Sequence, residues 1–280
     1  MNSSAAAFLQ RLPPELAAHA AVLQGLVDAV EADSRWRWLE LCCSVARGAG
    51  DADSDLDLAL GIAEVAWPAA LDDLPAMLAG LGEVIDALYH QLTEWGGIDH
   101  RRVFVQYANG VQVDLVAVPA SFRTGLPPGA VALHDPDGRL AHPYIPQSLQ
   151  PSPAEVREWA FLGWVALADL AKYLRRESPW EALERLATAR NHAWQLWAAG
   201  HGIAYPAFGL TSVLDAPDTS LPDGIPATVA SLDPSELQRA GLACADLLER
   251  ASAIATARVG GDPPTALAAF VRNRLQATPA

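Results

Sequence analysis

The chain is short of several things at once, and each shortage excludes something. It has three cysteines in 280 residues, two of them adjacent at Cys42 and Cys43. That is too few for a disulfide framework, and the spacing fits no zinc pattern, so a reducing compartment is expected. Basic residues number 19 against 33 acidic ones, a formal net charge of −14. A general nucleic-acid binder needs a basic stripe to meet phosphate, so no nucleic-acid partner is expected. No uninterrupted apolar run approaches the ~18 residues of a membrane span, and no membrane partner is expected. The longest candidate, residues 160–173, is broken by Asp169 and Lys172. The opening MNSSAAAFLQRLPPEL lacks a charged leader followed by an apolar stretch, so no signal peptide is expected. The expectation is a soluble, cytoplasmic protein, monomer or homodimer.

Apolar bulk is plentiful. Half the chain is hydrophobic and nine residues are tryptophan, enough to bury a substantial core. Residues 14–31 repeat apolar positions at helical spacing after a PPEL start. Residues 36–42 read as a short strand, and residues 55–60 alternate as a second strand. Residues 71–95 read mainly as helix. In RRVFVQYANGVQVDLVAV, two β-rich runs flank Asn109-Gly110, a strong hairpin signal. Residues 119–151, rich in Pro, Gly and His, have no sustained periodicity and read as a linker or lid.

Beyond them, Ser152-Pro-Ala-Glu155, Ser178-Pro-Trp-Glu181 and Asp233-Pro-Ser-Glu236 each read as a capping box that starts a helix. With a last helix from Pro264, they predict a bundle of roughly four or five helices. The fold class is thus α+β: a mixed sheet with flanking helices over residues 1–150, then a helical bundle over 151–280.

The stretch LCCSVARGAGDADSDLDL, from residue 41 onward, carries the chemistry. Asp55 and Asp57 at i and i+2 share one face of their strand, where like charges repel. Asp114 lies mid-strand in VQVDLVAV, where an unpaired carboxylate is expensive. Alone, Asp114 reads as a residue of a solvated face beside Gln112. Three carboxylates on strands that could be neighbours are better explained by a hard cation such as Mg²⁺, which takes carboxylate oxygens. Just before them, Ser44, Arg47 and Gly48 follow a strand at the start of a short helix. A hydroxyl, free backbone N–H groups and a guanidinium there make a phosphate cradle. Asp51 and Asp53 read as solvated loop residues.

In this order SVARGAGDADSDLDL resembles the signature of the nucleotidyltransferase superfamily with the DNA-polymerase-β-type fold. It is most similar to that of the streptomycin-type aminoglycoside adenylyltransferases. The resemblance covers about the first 120 residues. It implies a Mg²⁺-dependent enzyme, a nucleotidyltransferase that moves AMP from ATP, or another nucleoside monophosphate, to an acceptor hydroxyl and releases pyrophosphate. It also implies that Asp55 and Asp57 bind the metals, that Asp114 completes the set, and that Ser44 and Arg47 hold the triphosphate. The pattern departs at Cys43, where the family has glycine. A positive φ there would strain a residue with a Cβ, so either the loop differs or activity is weakened.

Lys172 is the only lysine, against eighteen arginines. It reads either as a side chain snorkelling from a bundle helix or as a nucleotide-phosphate contact. The string AKYLRRESPW is similar to a stretch in the helical domain of the same adenylyltransferases, which favours the contact. Asp169, one turn earlier, reads as its ion-pair partner; acceptor binding and a general-base role stay open. Arg190 and His192 read as bundle contacts, and His134, Asp135, Asp137 and His142 as a turn, not a metal site. The acceptor implied is a small molecule, and a cationic aminoglycoside suits a carboxylate-rich cleft. Two alternatives remain: an antitoxin-like adenylyltransferase of partner proteins, and a nucleotide-binding scaffold with weakened catalysis.

Overall fold

Alternation in residues 56–62 separates two faces of a strand. Leu56, Leu58, Leu60 and Ile62 are buried in the main core, and Asp57 and Ala59 stand on the opposite face, only partly covered. The computed structural model describes residues 3–92, 100–144, 149–216 and 220–278. The chain divides into two units, Met1–Pro146 and Gln147–Ala280.

In chain order the first unit runs α1 (Ser3–Leu9), α2 (Ala17–Ala32), β1 (Trp36–Leu41), α3 (Cys43–Ala46), β2 (Leu56–Ile62), α4 (Trp67–Ala79), β3 (Val84–Leu92), β4 (His100–Tyr107), β5 (Gln112–Pro119) and β6 (Val131–His134). Its strands form a six-stranded sheet in the order β3-β4-β5-β2-β1-β6. The sheet is mixed: β2 and β5 run parallel, and every other neighbouring pair is antiparallel. Residues of α1, α2 and α4 pack with the apolar face of the sheet into one core. Glu40, Asp57, Arg102, Gln106, Gln112 and Asp114 are thereby left on the other face. Part of that face is covered by a smaller cluster of Trp38, Val118, Ala120 and Leu140. Gly61 is obligatory there, because a Cβ would lie 2.1 Å from the Trp38 indole.

Two expectations need correction. Residues 71–95 are not mainly helix: α4 ends at Ala79 and residues 84–92 pair with β4. Gly80 and Gly82 stop the helix, and the spacing read as helical continues through them; Trp95 lies outside the described residues. Residues 119–151 are not all linker or lid, because β6 forms an edge strand on β1. Four residues are too few to show a period.

The second unit contains α5 (Pro153–Arg175), α6 (Pro179–His201), α7 (Leu210–Asp215), α8 (Pro234–Val259) and α9 (Thr265–Gln276). Trp164, Leu167, Leu186, Leu237, Leu248 and Val271 join small alanines in its core. The three expected capping boxes are three different structures. Ser152 makes a full box with Glu155. Asp233 accepts from the N–H groups of Ser235 and Glu236, while the Glu236 carboxylate accepts from Ser231 N–H. Ser178 makes no capping bond, because its backbone enters the helix at ψ 74. Among the described residues no helix is long and apolar enough to cross a membrane.

Candidate functional site

Parallel pairing of β2 and β5 makes Asp57 the register partner of Asp114. Level with Asp57 on its other side, Cys42 N–H donates to the Asp57 carbonyl at 2.8 Å. Level with Asp114 on the other side is Phe104 of β4. One row across the sheet thus brings two carboxylates side by side. Asp55, just ahead of β2, adds its charge to them. Burial pushes the Asp57 carboxyl above its ordinary value; a hydrogen bond with Cys43 opposes this, Asp55 and Asp114 add to it, and Arg102 again opposes it.

Arg102 was not anticipated. It lies opposite Val116, diagonal to Asp114 on the same face, and its fork takes both Asp114 oxygens: Nε to Oδ1 at 2.9 Å and Nη2 to Oδ2 at 2.5 Å. Its guanidinium carbon also sits 4.6 Å from the centre of the Phe104 ring. The signal lay in the hairpin, since an Asn-Gly turn closing β4 and β5 sets Arg102 and Asp114 on one face. Among the described residues no group of three or more His, Cys, Asp or Glu side chains is arranged to hold a metal ion. The donor chemistry still fits a hard dication. Asp55, Asp57 and Asp114 are carboxylates, the donor type a hard dication takes, and positive charge beside them would relieve the repulsion Asp57 bears from Asp55 and Asp114.

The small-residue turn follows β1 directly. Cys43 adopts φ 58, the left-handed backbone that a glycine takes without strain. The helix it opens spans Cys43–Ala46, a single turn, too short to contribute the dipole of a longer helix. The polar side chains this turn presents are therefore the Ser44 hydroxyl and the Arg47 guanidinium. Ser44 Oγ lies 3.4 Å from Ser54 Oγ. Arg47 is exposed and its stem runs against Gly129, where a Cβ would meet Cγ at 3.0 Å. Gly48 sits at φ 73 with open space above it.

The loop between turn and strand is anchored from beneath. Nε2–H of His19, a buried residue of α2, donates to the Ser54 carbonyl at 2.7 Å, and its buried Nδ1 has no hydrogen-bond partner among the described residues. Asp51 accepts from Asp53 N–H and from the Ser54 hydroxyl, while Asp51 and Asp53 themselves are exposed.

One strand over, Glu40 of β1 is 2% exposed and pairs with Arg123. The Arg123 guanidinium lies 5.0 Å from the centre of the Trp38 indole. Among the described residues Glu40 Oε2 has no hydrogen-bond partner, and burial with Glu40 nearby drives the Cys42 thiol well above its usual range.

In the second unit, Lys172 donates to Asp169 at 2.5 Å, the pairing its spacing suggested. Arg190 donates to the Thr228 carbonyl, and His192 bonds the Gln195 amide. In the first unit, the Asp135 carboxylate accepts from the N–H groups of Arg139 and Leu140, while Asp137 pairs with Arg37. That segment is a turn, as its D-P-D-G sequence predicts.

No family model matches the chain, and no curated protein matches it significantly. Among solved structures it is similar to an aminoglycoside 6-adenyltransferase from Bacillus subtilis. The two are 14% identical, over 91% of this chain and 96% of that one, with a TM-score of 0.42. It is also similar to terminal uridylyl transferase 4 from Trypanosoma brucei with bound UPU. Here identity is 13%, over 81% of this chain and 66% of that one, with a TM-score of 0.25.

Proposed function

We propose that the first unit carries a nucleotidyl-transfer site. It takes a nucleoside triphosphate, ATP by preference, and passes the nucleoside monophosphate to a hydroxyl of a small-molecule acceptor. The observation that supports this reading best is the register pairing of Asp57 with Asp114, next to Asp55 and the Ser44–Arg47 turn. Asp55 and Asp57, joined by Asp114, would hold Mg²⁺, which when bound supplies positive charge against the triphosphate and acidifies the acceptor hydroxyl. The Ser44 hydroxyl and the Arg47 guanidinium bind phosphate oxygens and set the α-phosphorus facing the carboxylates. The acceptor oxygen forms its bond to that phosphorus as the bond to pyrophosphate breaks. A cationic acceptor of the aminoglycoside kind suits a face this rich in carboxylate. Lys172 is satisfied by Asp169, and the reading does not rest on it.

A second reading, a nucleotide-binding scaffold with weakened catalysis, is favoured by one pair of features: Arg102 on both Asp114 oxygens and Cys43 at φ 58. Pyrophosphate release from Mg-ATP, screened over aminoglycosides, lincosamides and unrelated alcohols, separates the two. Transfer is expected with at least one acceptor and is expected to vanish in Asp57→Asn. Nucleotide binding with no release for any acceptor would favour the scaffold, and equal turnover by wild type and Asp57→Asn would remove the carboxylate assignment.

A further inference from the structure

We infer that Arg102 is a resident stand-in for the cation at Asp114, so that the carboxylate site is closed to a free divalent ion until Arg102 leaves. The inference rests on the nucleotidyl-transfer reading and adds a competitor to it. Asp114 is 9% exposed in mid-strand, where an ionised carboxylate needs a counter-charge. Arg102 supplies it through two hydrogen bonds whose planar fork matches the carboxylate, leaving neither Asp114 oxygen without a cationic partner. Arg102 also offsets the Asp57 charge next door.

The two partners differ in freedom. Asp114 is held by a strand paired on both sides, to β2 and to β4. The Arg102 side chain is 43% exposed and rests on Phe104, so it can turn outward while its charge returns to water. Exchange of the guanidinium for a dication therefore moves one side chain and leaves the sheet as it is.

The test is direct binding of Mn²⁺ to the full chain without nucleotide, followed by the electron paramagnetic resonance signal of the free ion. Wild type, Arg102→Met, Arg102→Gln and each of these with Asp57→Asn are compared. Arg102→Met is expected to bind one Mn²⁺ about tenfold more tightly than wild type, since no charge-assisted pair opposes the ion. Arg102→Gln keeps an amide donor for the buried carboxylate; it is expected to show a similar gain and carries the test if Arg102→Met does not fold. In both, Asp57→Asn is expected to abolish the gain. Equal Mn²⁺ affinity in wild type and the Arg102 variants, with Asp57→Asn weakening all of them, would overturn the stand-in role and leave the metal-site reading intact. No Asp57-dependent Mn²⁺ binding in any variant would instead overturn the carboxylate site itself.

Discussion

Asp57 and Asp114 are register partners on parallel neighbouring strands, two carboxylates side by side with Asp55 close by. Burial holds the Asp57 carboxyl above its ordinary value; the Cys43 hydrogen bond lowers it, and Asp55 and Asp114 add to the rise. A carboxyl raised in the folded state keeps a proton that the unfolded chain has released. Its stabilising contribution is therefore present at low pH and is lost as pH rises from the unfolded value of 3.8 through the raised folded value. Asp57→Asn cannot ionise and avoids that loss. It is expected to melt above wild type at neutral pH, with the gap closing as pH falls toward 3.8. Thermal melts across pH check this, and a gap that does not change with pH would contradict it.

How much of this could be read beforehand differs from element to element. Period-two leucines and an Asn-Gly turn carry local information, so β2, β4 and β5 were legible. The parallel pairing of β2 with β5 was not, because about fifty residues separate the strands and no local pattern specifies it. The same holds for β6, whose four residues gain strand character only by docking on β1. Glu40 and Arg123 escaped notice because a buried ion pair leaves no spacing signal across 83 positions. The turn was legible even in its defect: where the resembled pattern wants glycine, Cys43 takes a backbone that suits glycine.

That defect makes a second prediction. Cys43→Ala and Cys43→Gly both remove the thiol and its bond to Asp57, and differ only in the Cβ. At φ 58 the Cβ crowds the following carbonyl. Cys43→Gly is expected to be more stable than Cys43→Ala by about 1 kcal/mol, despite the greater freedom glycine gives the unfolded chain. Urea denaturation of the two variants measures the difference. A glycine variant less stable than the alanine one would mean that the turn relaxes to an ordinary φ in solution.

Helix starts of one sequence form should respond differently to the same substitution. Ser152 caps α5 reciprocally with Glu155, whereas Ser178 places its hydroxyl 3.4 Å from the Arg176 carbonyl and caps nothing. Ser152→Ala is expected to cost about 1 kcal/mol. Ser178→Ala is expected to change stability by less than about 0.5 kcal/mol, the usual range for a surface change. Chemical denaturation of both variants decides it, and equal costs would show that the capping geometry of α6 resembles that of α5.

The Glu40–Arg123 pair tests how the face beside Asp57 is held. Glu40 is almost wholly buried, while the Arg123 side chain is 17% exposed and stacks on Trp38. Removing one partner leaves the other charge stranded, at about 3 kcal/mol for a buried pair. The stranded charge is worse off where it is more deeply buried, so Arg123→Met should cost more than Glu40→Met. Replacing both removes both desolvation penalties, and Glu40→Met/Arg123→Met is expected to be more stable than either single variant. The unpartnered Oε2 strengthens this expectation, since the native carboxylate is only half satisfied. Urea unfolding of the four proteins gives the coupling. Additive costs would show that the two charges are held independently.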